Sequence, residues 1–269
     1  MALVGPLLQL RGVGKSFGPV RALEGIDLDI NRREVLGICG DNGAGKSTLI
    51  RILAGAETPS EGTLLINGEP VRLRSPGDAL ARGIATTYQD LALAPRLSIA
   101  QNVFMGGELL RRPAFLGLLD KRRMRDEAAA YLDRFGFAEI DMDRPVGELS
   151  GGQRQAVALA RALRWRARIV IMDEPTAALG VAESRQVLDL IRRLHAEGVT
   201  VILVSHDMDD VVAATKRVVV LKKGRKVGEI ETARVDARKL GEAIMSGFVE
   251  PPPPPAPFID DEVVDEQFG

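Results

Sequence analysis

Four apolar runs of strand length punctuate the chain, Val35 to Cys39, Ile84 to Tyr88, Ile169 to Met172 and Val199 to Val204, and each ends in small or polar residues. The runs are continuous and do not alternate with polar positions, so they predict strands covered on both faces and hence a mainly parallel sheet. Between them the apolar positions follow another period. Leu49, Ile52, Leu53 and Ala56, then Ala156, Leu159, Ala160 and Leu163, then Val187, Leu190, Ile191 and Leu194 are spaced i, i+3, i+4, i+7, the stripe of an amphipathic helix. Strand and helix alternate, so the expected class is α/β. Residues 1–71 depart from this rhythm. Leu8 and Leu10 alternate with Gln9 and Arg11, and Val13 to Ile30 and Gly62 to Val71 form short alternating segments with a turn signal at Asn67-Gly68. That pattern predicts a first strand near the start and an antiparallel flank. Residues 96–148 hold no strand-like run and are rich in Arg, Leu and Ala, which predicts a small helical subdomain reaching about residue 155. No internal repeat is present.

Composition narrows the classes. The chain has 269 residues, 45% of them hydrophobic, with 36 basic and 37 acidic side chains and a net charge of -1. This is ordinary for a soluble globular domain. The single cysteine, Cys39, excludes an intrachain disulfide framework. The longest uncharged stretch, Leu97 to Gly107, has 11 residues, against about 20 for a membrane-spanning helix. Met1 to Leu10 lacks the basic start and small-residue cleavage site of a signal peptide. From Glu250 onward there are six acidic and no basic residues, so the first 249 residues carry a charge of about +5. Pro251 to Pro255 supply no backbone donors and favour a polyproline II conformation, so the folded part is expected to end near Gly247 and residues 249–269 to form a disordered acidic tail.

The chemistry is concentrated in three places. Gly40-Asp41-Asn42-Gly43-Ala44-Gly45-Lys46-Ser47, followed by Thr48, fits the phosphate-binding pattern G-x-x-x-x-G-K-[ST] between a predicted strand and a predicted helix. Glycines let successive backbone N–H groups converge on one anion, and the helix start adds partial positive charge. Lys46 is expected to reach the β and γ phosphates and the Ser47 hydroxyl to coordinate Mg²⁺. Such a loop needs a carboxylate on the metal side. The run Ile169 to Met172 ends in Asp173 and Glu174, giving one acid for Mg²⁺ and a neighbour able to polarise an attacking water. The third place is Leu149-Ser150-Gly151-Gly152-Gln153, where Ser150 is a natural N-cap and the glycines leave the backbone unobstructed. Taken alone it is a capped helix, and a second anion-binding helix start is redundant unless it serves another nucleotide's site.

The order of these motifs, with Asp173-Glu174-Pro175-Thr176, resembles the ATP-binding subunits of ABC transporters over about Leu7 to Phe248. The resemblance implies a P-loop NTPase (RecA-like) core with an antiparallel β flank and a helical signature subdomain. It implies ATP and Mg²⁺ as cofactors, and a head-to-tail homodimer in which each ATP lies between the P-loop of one copy and Ser150 to Gln153 of the other. It also implies a membrane permease partner, a location on the cytoplasmic face of the membrane, and no nucleic-acid partner. By resemblance, Phe17 stacks on adenine, Gln89 senses Mg²⁺ and links to the permease, and His206 contacts the γ-phosphate. Unaided, Phe17 reads as a core aromatic and Gln89 as a polar strand end. His195, near a helix end, reads as a solvated C-terminal residue. Many family members have Ser-Ala-Leu-Asp after the Glu-Pro-Thr; here the run is Ala177-Ala178-Leu179-Gly180. The missing aspartate leaves open how the two sites communicate. Gly180-Val181 and Tyr88-Gln89-Asp90-Leu91-Ala92-Leu93 resemble bacterial monosaccharide importers, which implies an external sugar-binding protein as well. An ABC importer or exporter for another cargo, or a soluble ABC ATPase acting on DNA or ribosomes, is the alternative. A GTPase or small-molecule kinase would lack Leu-Ser-Gly-Gly-Gln. The basic cluster at Arg111, Arg112, Lys121, Arg122, Arg123 and Arg125 reads as a solvated face or as a surface for lipid headgroups or a partner, and Cys39 as a small buried residue or a reactive thiol.

Overall fold

The structure, a computed structural model, describes residues 5–111 and 117–247. Phe248, the acidic tail and Arg112 lie outside the described residues. The first strand pair, β1 (Leu8–Phe17) and β2 (Val20–Ile30), joins β4 (Glu61–Ile66) and β5 (Glu69–Val71) in an antiparallel sheet of order β2-β1-β4-β5. Its alternation is the expected one: Leu8 and Leu10 are fully buried while Arg11 is exposed. Asn67 and Gly68 both adopt positive φ, 56° and 83°, as a two-residue hairpin turn requires.

The second sheet has the order β10-β9-β3-β8-β7-β6. Four of its strands are the apolar runs, β3 (Val35–Cys39), β6 (Ile84–Thr87), β7 (Ile169–Asp173) and β8 (Thr200–Val204). All pairings among β9, β3, β8, β7 and β6 are parallel. Every residue of β3 and β8 is buried, which is why they read as unbroken apolar runs. Two strands extend the sheet beyond the expected four. β9 (Arg217–Lys222) and β10 (Arg225–Glu231) form an antiparallel hairpin, and β10 is only partly buried throughout, so it carries no periodic signal strong enough to announce it.

The helices α1 (Lys46–Leu53), α2 (Pro76–Ala81), α3 (Ile99–Phe104), α4 (Lys121–Arg134), α5 (Gly151–Arg164), α6 (Val181–Ala196), α7 (Met208–Ala214) and α8 (Ala237–Ser246) fill the layers. α1 is shorter than its stripe suggested: it closes at Ala54, Gly55 turns left-handed at φ 71°, and Ala56 is exposed outside it. β6 likewise stops at Thr87, leaving Tyr88 on the surface. One core lies between the two sheets around α1, and a second between the parallel sheet and α3 to α6. A third, smaller one joins α7 and α8 to β9. The helical subdomain is the α3–α4 region packed on α5, with the buried Asn102 amide bonding Ala94, Leu97 and Ser98 carbonyls to fix its entry loop. α8 is closed by Gly247 in the left-handed conformation, φ 69°.

Candidate functional site

The loop Gly40 to Gly45 leaves the buried end of β3 and enters α1. Gly45 adopts φ 104°, and a Cβ there would lie 2.6 Å from Leu23 Cδ2 and 2.9 Å from Ala22 O, so only glycine fits. The N–H of Gly224 donates to Ala44 O at 3.0 Å and the N–H of Glu24 to Gly224 O at 2.8 Å, which fastens the loop to the β9–β10 turn and to β2. No side chain caps α1, and no acid lies in its first turn. The first intrahelical donor is the Leu49 N–H, to Gly45 O at 2.9 Å, so the N–H groups of Lys46, Ser47 and Thr48 remain for a ligand. Lys46 Nζ folds over the loop and donates to Gly40 O at 2.5 Å and Asp41 O at 3.1 Å. Together these donors make a concave cationic cradle suited to a polyphosphate.

The acids lie beside it. Burial pushes the Asp173 carboxyl above the usual carboxylate range, the Glu174 charge adds to this, and Lys46 opposes it. A divalent cation would relieve both causes, and Ser47, Asp173 and Gln89 are the residues expected from the sequence to hold one. Among the described residues no cluster of three or more His, Cys, Asp or Glu side chains could hold a metal. One carboxylate plus substrate phosphates is the usual Mg²⁺ arrangement, so the donor set fits. Glu174 is strained: its φ is 52°, rare for a residue with a Cβ, and its N–H donates to Val204 O at 2.8 Å. Its Oε2 lies 2.7 Å from Nδ1 of His206, whose ring is otherwise exposed. Asp207 caps α7 behind that histidine by accepting from the Asp210 N–H, and donates its own N–H to Ser205 Oγ at 3.0 Å.

Gln89 sits on an exposed loop that α5 holds: the Arg161 guanidinium donates to Leu91 O at 2.8 Å and Ala92 O at 2.9 Å. Gln89, Glu174, Gln155 and Gly151 line one cleft of about 340 Å³. The structure thus gathers the P-loop, Asp173, Glu174, His206 and Gln89 along one edge of the parallel sheet. Phe17 stands at the end of β1 with a 41% exposed ring, one face covered by Lys15 Nζ at 4.9 Å. Lys15 is itself held by Glu57 at 2.8 Å and by Thr58 O at 2.8 Å.

The segment Ser150 to Gln153 begins α5 and is organised differently. Ser150 Oγ accepts from the Gln153 N–H at 3.3 Å and Gln153 Oε1 accepts from the Ser150 N–H at 3.0 Å, a reciprocal cap. The Gly151 N–H donates to Glu183 Oε1 at 2.7 Å. No bond among the described residues joins this segment to the P-loop of the same chain.

Three further readings are resolved. Cys39 is fully buried, its Sγ 3.7 Å from Ser205 O, and burial pushes its thiol up to about 12, so it is inert packing. His195 is half-buried with Nε2 3.0 Å from Arg33 O, and so is bonded within the fold. In the basic cluster, Arg122, Arg123 and Arg125 form ion pairs with Asp126, Glu127 and Asp143. Sequence reading missed Lys15, Gln155, Arg161 and Glu183. Each acts through a partner far along the chain, and only the i, i+4 offset of Arg161 from Val157 on a buried stripe hinted at an inward guanidinium.

An open phosphate cradle, a paired Asp-Glu at a strand end and a glutamate–histidine contact define a P-loop ATPase. The chain belongs to the ABC transporter family, whose profile matches residues 23–177. It is 44% identical over 252 residues to the fructose import ATP-binding protein FrcA of Rhizobium meliloti, covering 92% of this chain and 96% of that one. It is 42% identical to the xylose/arabinose import ATP-binding protein XylG of Sulfolobus acidocaldarius, covering 89% and 94%. Against the ribose import ATP-binding protein RbsA of Yersinia pestis it is 43% identical but spans 45% of that protein. Among solved structures it resembles CbiO1 of Clostridium perfringens, part of an ABC transporter complex, with TM-score 0.73, 29% identity, and 90% and 93% of the two chains covered. It also resembles a dimeric ATP-binding cassette bound to ADP and Pi, MJ0796, with TM-score 0.68, 28% identity, and 84% and 98% covered.

Proposed function

We propose that this ABC ATPase is the energy-coupling subunit of a monosaccharide importer, working as a homodimer against a membrane permease on the cytoplasmic face of the membrane. One observation carries the catalytic reading: Glu174, strained at φ 52° and 2.7 Å from His206, follows the half-buried Asp173 beside an uncapped phosphate cradle. Gly40 to Thr48 bind the phosphates, Phe17 offers its free face to the adenine, and Ser150 to Gln153 serve the nucleotide held by a second copy. Glu174 accepts the proton of the attacking water, and His206 orients Glu174 and then meets the γ-phosphate side. Ser47, Asp173 and Gln89 would hold Mg²⁺ together with the phosphates, where it would neutralise charge. The dimer is supported by the dimeric cassette it resembles, and the sugar cargo by the fructose, xylose/arabinose and ribose relatives. The permease and the external sugar-binding protein are separate proteins in this reading, and no helix among the described residues is long and apolar enough to cross a membrane.

The test is to hold a tagged Glu174→Gln chain with ATP, extract host membranes in mild detergent, and identify what co-purifies. A polytopic permease whose reconstituted complex takes up fructose, xylose or ribose on ATP addition is the expected result. Recovery with ribosomes or DNA alone would overturn the transport reading.

A further inference from the structure

Glu183 lies in the first turn of α6, half-buried against the start of α5. Its carboxylate spans two elements: Oε1 accepts the Gly151 N–H at 2.7 Å and Oε2 accepts the Gly180 N–H at 3.4 Å. The two helix starts are in close contact. A Cβ on Gly151 would run into Leu179 and lie 3.1 Å from Glu183 Oε1, and one on Gly152 would lie 3.1 Å from the Gln186 Cβ. One turn further along the same face of α5, the Gln155 amide donates to Pro175 O at 2.8 Å. The segment between these two clamps is stiffened from within, because the N–H of Ala177 donates to Glu174 O and that of Leu179 to Thr176 O, each at 3.1 Å, and Ala178 is left-handed at φ 62°. A displacement of the α5 start is therefore carried by a bonded segment to the residue that bears the catalytic carboxylate.

We infer that Glu183 is the positioning residue that couples the two ATP sites of the dimer, a conclusion resting on the composite sites proposed above. Ser150 to Gln153 serve the partner's nucleotide, whereas Glu174 acts on the chain's own. Glu183 ties the first to the loop of the second. Gly180 has no side chain to make such a link, and the Glu183 carboxylate makes it by accepting the Gly180 N–H directly. By accepting the Gly151 N–H it also leaves the Gly152 N–H and the Ser150 hydroxyl as the donors for the partner's phosphate.

The experiment compares wild type with Glu183→Ala, Glu183→Asp and Glu183→Gln in the full-length chain, reading ATPase rate and Hill coefficient, nucleotide affinity of the monomer, and mass in the presence of ATP in a Glu174→Gln background. Glu183→Asp keeps the charge at the helix start but withdraws the carboxyl by one methylene, so it reports even where the alanine variant does not fold. Glu183→Gln keeps an oxygen for the Gly151 N–H. The expected result is that the alanine and aspartate variants bind nucleotide within twofold of wild type, fall to a Hill coefficient near 1 and lose about 5- to 100-fold in kcat, and that the glutamine variant retains wild-type cooperativity. Wild-type cooperativity and kcat in the aspartate variant would overturn the inference, as would a wild-type Hill coefficient of 1. A Glu174→Gln chain that stays monomeric with ATP would instead overturn the dimer reading beneath it.

Discussion

The starts of α1 and α5 both follow glycine-rich turns, yet one is left open and the other is already occupied. α1 has no side-chain cap, no acid in its first turn, and a lysine held across its mouth by Gly40 and Asp41. α5 has a reciprocal Ser150–Gln153 cap and a glutamate on its Gly151 N–H. A helix start whose donors are unsatisfied attracts an anion on its own, and one whose donors are mostly satisfied adds only directed contacts. On the proposed reading, nucleotide affinity resides in α1, while α5 contributes once a second copy brings a phosphate to the remaining Ser150 hydroxyl and Gly152 N–H.

Substitutions at the two ends sharpen or break this contrast. The largest effect is expected from Lys46→Ala, which removes the loop's only cationic side chain; nucleotide binding by equilibrium fluorescence should be lost at millimolar ATP, and retained binding would show that the α1 backbone suffices. Glu174→Gln should leave binding intact and slow hydrolysis about 10²- to 10⁴-fold, the usual worth of a general base, in single-turnover assays. Ser150→Ala should cost about 1 kcal/mol of fold stability from the lost cap and lower hydrolysis about tenfold while leaving nucleotide affinity of the monomer unchanged; a weakened affinity would merge the two ends. The smallest effect is on stability. The Asp173 carboxyl is raised by burial, so the nucleotide-free fold holds its proton more tightly than the unfolded chain. This group therefore favours folding at low pH, and the benefit is lost as pH rises through its folded value. Asp173→Asn removes that cost, so Tm at pH 7 without nucleotide should rise while Mg²⁺-dependent hydrolysis is lost. A fall in Tm would mean the carboxylate is paired.

The same contrast explains what could be read from sequence. The P-loop was legible because its chemistry is local: glycines, lysine and serine lie together between a buried strand and a periodic helix. Four of the five parallel strands were legible because burial on both faces writes an unbroken apolar run; β9 carries the same signal in its buried Val218 to Leu221 and was not singled out. The half-buried β10 leaves no such trace, and the end of α1 was overshot because Ala56 continues the stripe past a left-handed Gly55. The pairs that organise the site were illegible because they join distant positions, Glu183 with Gly151, Gln155 with Pro175, Arg161 with Leu91 and Ala92. The role of Ser150 to Gln153 came from family resemblance, and within one chain the geometry explains why: no bond among the described residues joins them to the P-loop.

The central claim is that one copy binds the nucleotide and a second copy completes the site. Its most direct test is the solution mass and nucleotide affinity of Glu174→Gln and of Glu174→Gln/Ser150→Arg with ATP. The first should double from the 29.0 kDa of one chain, and the second should stay single while binding ATP equally well. Loss of ATP affinity in the arginine variant, or an unchanged dimer, would contradict the account.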